Sequence, residues 1–357
     1  MASLDALYGR LEDADWGARL LARLLPAILR LADELAPGAR LAWMIGLRRA
    51  WDRHGRALPG AARGGLLELA AAWRDWPLAR EVGAARRERG ELDAAGERAL
   101  ARALHLLGES EAALETLLPG LLARPGDSRH ADAWRAIALE RERDADWPGI
   151  DGAAANAPDL RLAPLGHRHL LDFAWQYHDP AIATRCNLPA FADAGQWRDW
   201  LDSTRGHGDQ ITHAVLHREW GFIGSVSLIL QDGLGFFYYW LGRDFQGHGL
   251  GPRAGALLLG HAERHWRMRA CHARVYADNT ASRRGLGKLG FRELNLAIDG
   301  GGREERLYRR AARFVPKHEA ASEARELFAR MESRARVLYP ILATTNARWE
   351  QTLLEGA

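Results

Sequence analysis

A glycine-rich stretch between an aromatic strand and an apolar helix is the part of the sequence best suited to bind a ligand. From Gln246 to Gly251 the chain reads Gln-Gly-His-Gly-Leu-Gly, and Pro252 follows. Glycines let the backbone approach a ligand closely, and proline suits the first turn of a helix. Free N–H groups at a helix start attract anions, so the stretch predicts a pyrophosphate site. A glycine-rich turn without a ligand is the alternative, because such a loop alone is weak evidence.

A second motif follows some thirty residues further along the chain. It contains Asn279 and Ser282 and closes with Leu-Gly-Phe at residue 291. The two motifs, in this order and at this spacing, resemble the GNAT superfamily of acyl-CoA-dependent N-acyltransferases. The resemblance is closest to the branch that acetylates ribosomal-protein N-termini.

The resemblance covers about residues 158 to 311. The segment Leu160–Leu165 and the strand that begins at Phe222 also match that branch. The implied fold class is α+β, the GNAT acyl-CoA N-acyltransferase fold. The implied cosubstrate is acetyl-CoA or another acyl-CoA, and no metal is implied.

The resemblance also implies where CoA binds. Backbone N–H groups from Gly247 to Gly251 would hold the pyrophosphate, the strand near Leu241 would pair with the pantetheine arm, and Asn279 would hydrogen-bond that arm. The full set of predicted CoA-binding residues is Trp240, Leu241, Gln246, Gly247, His248, Gly249, Leu250, Gly251, Asn279 and Ser282.

The reaction implied is direct attack of a free amine on the thioester, with a backbone N–H near Leu241 stabilising the oxyanion. Relatives often carry a tyrosine acid seven residues after the asparagine, but that position is Leu286 here. Ser282 is then the nearest predicted acid for the departing thiolate, or it only orients the sulfur. The acidic residue that some relatives carry early in the fourth strand falls at Phe236. The resemblance therefore supplies no general base.

Two histidines are candidate bases. His213 and His217 share one face of a predicted strand, and histidine has a suitable pKa for deprotonating an amine. A surface or packing role is the alternative for each. Tyr238 and Tyr239 either line the acceptor pocket or belong to the core.

Other chemically capable residues carry weaker hypotheses. His261 and His265 lie four residues apart without the zinc-protease pattern, so we interpret them as a solvated helix face. Cys271 is a conceivable nucleophile, but a cysteine at a strand start is usually buried. The segment from residue 264 to 292 contains eight basic residues and one acidic residue. A surface with this charge would suit a phosphate-rich ligand, and the alternative is that the arginines are ordinary solvated side chains.

The composition is that of a globular protein. The chain has 357 residues, of which 47% are apolar and 27% charged, and the net charge of +3 argues against a nucleic-acid partner. The sequence predicts neither a membrane span nor a signal peptide. Two cysteines exclude a disulfide framework, so we expect a cytoplasmic protein. Only Lys288 and Lys317 among the 49 basic residues are lysine, and this excess of arginine is typical of the composition of a bacterial genome.

The hydrophobic periodicity changes along the chain and predicts three parts. In residues 1–150 the apolar residues recur only at helical spacing. Two similar segments are offset by 18 residues, and one helical hairpin resembles a tetratricopeptide unit. We therefore expect an irregular all-α array. A linker near residue 155 leads to the GNAT domain at 156–312, and a helical extension follows at 316–355.

We hypothesise an acetyl-CoA-dependent N-acyltransferase for a primary amine. The alternatives are a GNAT fold that binds CoA as a sensor or assembly module without catalysis, and a longer-chain acyltransferase. The acceptor class stays open between peptides, proteins and specialised metabolites, with a slight preference for a peptide or protein because concave helical surfaces suit extended chains. A homo-oligomer is also open.

Overall fold

The computed structural model describes most of the chain. The described residues are 22, 23, 25, 28, 37–145, 147, 149–153, 157–177, 179–186, 191–206, 208–299 and 304–338. The chain divides into two compact units, Met1–Asp146 with Arg218–Gly221, and Trp147–His217 with Phe222–Ala357. No helix in these ranges is long and apolar enough to cross a membrane.

The first unit is built from α-helices. Its longer described helices are α1 (Pro37–His54), α2 (Gly60–Ala72), α3 (Trp76–Glu88), α4 (Ala94–Leu106), α5 (Ser110–Ala123) and α6 (Ser128–Arg143). Aspartates begin three of them: the carboxylates of Asp75, Asp93 and Asp127 accept hydrogen bonds from backbone N–H groups in the first turns of α3, α4 and α6. Buried leucines and Ile137 join α4, α5 and α6 in one core.

An ion-pair pattern repeats along these helices. Four arginines each form an ion pair with an acidic side chain near the start of another helix. That helix is always the second one after the helix that carries the arginine. The pairs are Arg48 with Asp75 (3.1 Å), Arg63 with Glu91, Arg80 with Glu109 (2.7 Å) and Arg98 with Asp127 (3.3 Å). The partners are 27 to 29 residues apart in sequence. Each helix is thereby tied to its second neighbour with a regular offset.

The second unit contains an eight-stranded sheet. Its strands are β1 (Ile150–Asp151), β2 (Leu160–Pro164), β3 (Gln210–His217), β4 (Gly221–Gln231), β5 (Leu234–Leu241), β6 (Ala270–Tyr276), β7 (Arg292–Asp299) and β8 (Glu304–Ala311). The spatial order is β1-β2-β3-β4-β5-β6-β8-β7. β5 and β6 pair in parallel, whereas β1–β2, β2–β3, β4–β5, β6–β8 and β7–β8 pair antiparallel.

Helices connect and cover this sheet. They are α7 (Leu170–Tyr177), α8 (Pro180–Cys186), α9 (Ala194–Gly206), α10 (Leu250–His265), α11 (Thr280–Lys288) and α12 (Lys317–Leu338). α7 and α9 bury an aromatic cluster against β4 and β5, in which Phe173 lies 4.9 Å from Trp240 between ring centroids. This packing fixes the end of β5, where Trp240 is 2% exposed.

The C-terminal helix α12 buries an apolar stripe against the sheet. Ala324, Leu327, Phe328 and Met331 pack with Leu234, Ala270 and Leu307 of the central strands. The apolar residues that recur at helical spacing in α12 are therefore the ones that pack on a face of the sheet. The predicted extension also includes residues 339–355, which lie outside the described residues.

The predicted fold class is confirmed: an α+β sheet domain follows an all-α N-terminal region. Alternating apolar residues in the sequence predict strands at 160–164, 211–217, 222–230, 234–241 and 272–277, and these correspond to β2 to β6. One difference lies in the predicted linker, where Ile150 and Asp151 form β1 and pair with Leu162 and Arg161. A two-residue strand is too short to produce a hydrophobic period, so the sequence showed only turn-forming residues there.

Candidate active site

A gap between β5 and β6 opens at the centre of the sheet. These parallel strands pair only over Leu234–Phe236 and Ala270–His272. On its other side, β5 pairs with β4 along its whole length, up to Leu241 opposite Gly224. Among the described residues, the pairing of β5 with β6 ends at Phe236, and β5 from Phe237 onwards borders the gap. Its backbone groups on that side face the gap, where they are placed to pair with a ligand.

The glycine-rich loop follows β5 and ends at the start of α10. Gly247 and Gly249 have left-handed backbones with φ of 84° and 74°, and Gly249 is the N-cap of α10. A Cβ at either position would meet no atom within 4 Å. Backbone conformation and not crowding therefore requires glycine here, since a left-handed residue with a side chain costs ~1–2 kcal/mol. The open side of the loop leaves the helix N-terminus accessible to an anion.

Helix α11 presents the second motif next to this loop. The side chain of Asn279 caps the helix, because its Oδ1 accepts a hydrogen bond of 3.2 Å from the Ser282 backbone N–H. The side-chain oxygen of Asn279 therefore already accepts a hydrogen bond within the chain. Ser282 itself is half-buried in the first turn.

One groove of about 500 Å³ joins the strand end, the loop and α11. All predicted CoA-binding residues except His248 line it; the His248 side chain is exposed nearby. The groove is basic, with Arg185, Arg243, Arg284 and Lys288 against Asp179, which pairs with Arg243 at 3.4 Å. Sequence reasoning missed the contribution of α8, which includes Arg185 and Ile182, because no local motif connects that helix with the glycine loop.

A smaller cavity of about 80 Å³ adjoins the groove and lies in the gap between β5 and β6. Arg185, Tyr239 and Ser282 line both spaces. The cavity wall also holds an ion pair of Arg274 with Glu305, whose side chains are 5% and 1% exposed. Burial lowers the pKa of Arg274, and the Glu305 carboxylate opposes that shift. Met331 of α12 contributes an apolar wall.

The two candidate bases lie elsewhere in the sheet. His213 and His217 are both buried in β3, and neither occurs among the described residues that line the groove or the cavity. The Nε2 atom of His217 lies 3.4 Å from Asp159 Oδ2. Asp159 also holds Arg253 of α10, and the hydrogen bond from Arg253 lowers the pKa of that carboxyl. His217 therefore has a structural partner that joins β2, β3 and α10.

Two members of the run of basic residues have partners within the domain. Arg283 donates to the Tyr308 hydroxyl (3.0 Å) and to the Ala277 carbonyl oxygen (3.1 Å), and Arg274 is buried in its ion pair. Of this run, Arg284 and Lys288 line the groove. The local charge excess therefore reaches a ligand in the groove mainly through these two side chains.

The remaining chemically capable residues lie apart from the groove. Burial raises the pKa of the Cys271 thiol, which disfavours a reactive thiolate. The rings of His261 and His265 lie 4.5 Å apart, and burial lowers the pKa of His261. Among the described residues, no group of three or more His, Cys, Asp or Glu side chains could hold a metal ion.

This part of the chain is similar to a known family. Residues 159–292 match the family model described as an acetyltransferase (GNAT) domain, which confirms the predicted resemblance to the GNAT superfamily. No curated protein matches the sequence.

Solved structures similar to this chain include several acetyltransferases. The Salmonella typhimurium acetyltransferase that modifies the N-terminal serine of ribosomal protein L7/L12 has 15% identity and a TM-score of 0.40, covering 43% of this chain and 96% of its own. Mycobacterium smegmatis RimJ, in complex with CoA-disulfide, has 21% identity and a TM-score of 0.39, covering 46% and 90%. Vibrio cholerae spermidine N-acetyltransferase, in complex with CoA and spermine, has 14% identity and a TM-score of 0.40, covering 43% of this chain and 95% of its own.

Proposed function

We propose, from the GNAT domain that residues 159–292 form, that the chain is an N-acyltransferase that moves an acetyl group from acetyl-CoA to a primary amine. The observation that carries this proposal is that the groove at the glycine loop and the cavity between β5 and β6 adjoin each other and share Ser282 in their walls. A groove that begins at an anion site and ends between two separated strands suits a long ligand with a phosphate end and a reactive end.

The residues present fit CoA. The accessible N-terminus of α10, with left-handed Gly247 and Gly249, offers backbone N–H groups to a pyrophosphate. Arg284 and Lys288 add positive charge to the same groove. The backbone of β5 up to Leu241 would pair with the amide groups of the pantetheine arm.

The size of the inner cavity supports acetyl as the acyl group. Its volume of about 80 Å³ is well below the roughly 150 Å³ of an engineered cavity that binds benzene. A longer acyl chain would need side chains such as Met331 to move. We therefore place the longer-chain alternative behind the acetyl proposal.

When bound, acetyl-CoA supplies the acetyl thioester, and the chain supplies the environment of the reaction. The backbone N–H of Leu241 is the proposed donor to the oxyanion. His213 and His217, the predicted bases, are buried in β3 away from the groove, so we propose that water takes the proton from the amine. We expect His213→Gln and His217→Gln to keep their rates within a few fold, with water carrying the proton. Loss of an inflection near pH ~6.5 in either variant would instead support a histidine base.

The acceptor is proposed to be a peptide or protein amine. The support is the N-terminal helical unit, whose regular ion pairs order its helices as a stacked array. The test is to incubate the purified full-length protein with acetyl-CoA and a panel of peptides, polyamines, aminoglycosides and amino-acid derivatives. CoA release with a matching mass increase of the amine supports the proposal.

The second candidate is a CoA-binding module without catalysis. It is favoured by Leu286, which is 4% exposed and apolar at the position where relatives often carry an acid. CoA binding without acetylation of any amine would favour this candidate. Failure to bind CoA would contradict both candidates.

A further inference from the structure

We propose that the hydroxyl group of Tyr239 is the general acid that protonates the thiolate of CoA as it leaves. This inference rests on the proposed function and assigns one residue within it. Tyr239 comes from β5, whereas the position that the sequence indicated for the acid lies on α11. The slot that holds the Tyr239 ring and the position of its hydroxyl group both point to this role.

The Tyr239 ring lies in a slot formed by two glycines on two different helices. A Cβ on Gly251, in the first turn of α10, would lie 2.5 Å from Cε2 of the ring. A Cβ on Gly285 of α11 would overlap the Tyr239 hydroxyl and lie 3.6 Å from Cζ. Any other residue at either position would force the ring to move. The two glycines therefore hold Tyr239 in one orientation, with its hydroxyl directed to α11.

That hydroxyl lies where the groove meets the inner cavity. Tyr239 and Ser282 both line the two spaces. Gly285 is one turn after Ser282, and residues three apart on a helix have Cβ atoms about 5–6 Å apart on the same face. The Tyr239 hydroxyl, next to Gly285, therefore lies on the same face of α11 as Ser282 and about one helical turn from it. Two hydroxyl groups therefore converge at the junction where the thioester would lie.

The proton balance of the step favours the phenol over the serine. As the tetrahedral intermediate collapses, the carbon–sulfur bond breaks and its electron pair goes to sulfur, which takes the proton from Tyr239 Oη. The resulting tyrosinate regains a proton from solvent. A phenol of pKa ~10 is close to a thiol of pKa ~8.5, so this proton transfer is nearly balanced. Ser282, with a much weaker acid group, would orient the sulfur.

The kinetic test compares Tyr239→Phe with two other variants. We expect kcat for acetyl transfer to fall about 10²-fold or more in Tyr239→Phe, with the Kd for CoA nearly unchanged. Tyr308→Phe is the matched control, because its hydroxyl binds Arg283 and Glu293 outside the groove, and its kcat should stay within a few fold. Ser282→Ala should lose less than tenfold. A large loss in Ser282→Ala with little loss in Tyr239→Phe would overturn the assignment.

A pH profile adds a signature that a packing role would not produce. The kcat of the wild-type protein should fall at high pH as the acid deprotonates, and 3-fluorotyrosine placed at position 239 should move this fall to lower pH. The same replacement at position 308 should leave it in place. An unchanged profile with fluorotyrosine at 239 would contradict the proposal.

A binding measurement tests Tyr239 even without an acceptor. The ultraviolet absorbance of the thiolate reports the pKa of the CoA thiol in the complex. A hydrogen bond from Tyr239 would stabilise the thiolate, so this pKa should be lower in the wild-type complex than in the Tyr239→Phe complex. Equal values would overturn the inference. A different outcome is a thiol pKa that depends on Tyr239 in a protein that transfers no acetyl group. That result would contradict the proposed activity but support the hydrogen bond from Tyr239 to the thiolate.

Discussion

The side-chain amide of Gln246 donates a hydrogen bond of 2.9 Å to the backbone carbonyl oxygen of Leu241. It closes the turn between the last residue of β5 and the glycine loop. Phe245, which is 3% exposed, anchors the same turn in the core. The loop that offers N–H groups to a pyrophosphate is thereby fixed relative to the strand edge that would pair with the pantetheine arm.

We expect Gln246→Ala to weaken CoA binding without unfolding the domain. A hydrogen bond of this kind contributes about 1 kcal/mol, which corresponds to about a fivefold rise in Kd. Calorimetric titration with CoA measures it. Gln231→Ala is the control, because the Gln231 amide binds Asp209 outside the groove and its loss should leave Kd unchanged. Equal Kd values for wild type and Gln246→Ala would show that the loop is ordered without this bond.

The docking of α12 should depend on pH through Glu323. Burial opposes ionisation of this carboxyl, but the neighbouring His272 and Arg309 outweigh burial and lower its pKa to about 2. The pKa in the unfolded chain is about 4.3. Because the folded value is lower, the stabilisation is complete above about pH 5 and is lost as the pH falls toward 2. Burial also lowers the pKa of His272, so acid destabilises through both groups.

Glu323→Gln should therefore lower the free energy of unfolding by about 2 kcal/mol at neutral pH, since it leaves the Arg309 guanidinium without its ionised partner. Urea unfolding at pH 7 and near pH 3 measures the difference, which should shrink in acid. Glu326→Gln is the control: its partner Arg330 is 43% exposed, so we expect a change near zero. A Glu323→Gln difference that persists in acid would contradict the electrostatic origin.

The helical unit should depend on Asp127 more than on its arginine partner. Asp127 pairs with Arg98 at 3.3 Å and also caps α6 by accepting from the N–H groups of Arg129 and His130. We expect Asp127→Ala to cost about 1–2 kcal/mol of unfolding free energy and Arg98→Ala less than 1 kcal/mol. Asp132→Ala, in an exposed pair with Arg135, should have no measurable effect. Similar losses for Asp127→Ala and Arg98→Ala would show that the cap contributes little.

Local motifs carried most of what the sequence could predict. The glycine loop, Asn279 and Ser282 are each recognisable within a few residues, and they line one groove. β7 and β8 were not predicted, because arginines and glutamates interrupt their apolar positions and pair across strands instead.

The missing site features depend on the third dimension. Period-2 spacing placed His213 and His217 on one face of a strand, but every residue of β3 is buried, so the face did not indicate a groove. The Tyr239 slot needs Gly251 and Gly285 from two helices, and the inner cavity needs Met331 from α12. The spacing of residues within one segment of the sequence does not predict contacts between residues of different segments.

The proposed function requires the loop from Gln246 to Gly251 to bind CoA, and titration of CoA into Gly249→Val measures this binding. Gly290→Val is the matched control, because Gly290 is also left-handed (φ 80°) with no atom within 4 Å of a Cβ, and it lies outside the groove. Both variants should lose ~1–2 kcal/mol of stability. We predict micromolar CoA binding by wild type and Gly290→Val, and its loss in Gly249→Val. CoA binding that survives Gly249→Val unchanged would contradict the assignment of this loop as the CoA site.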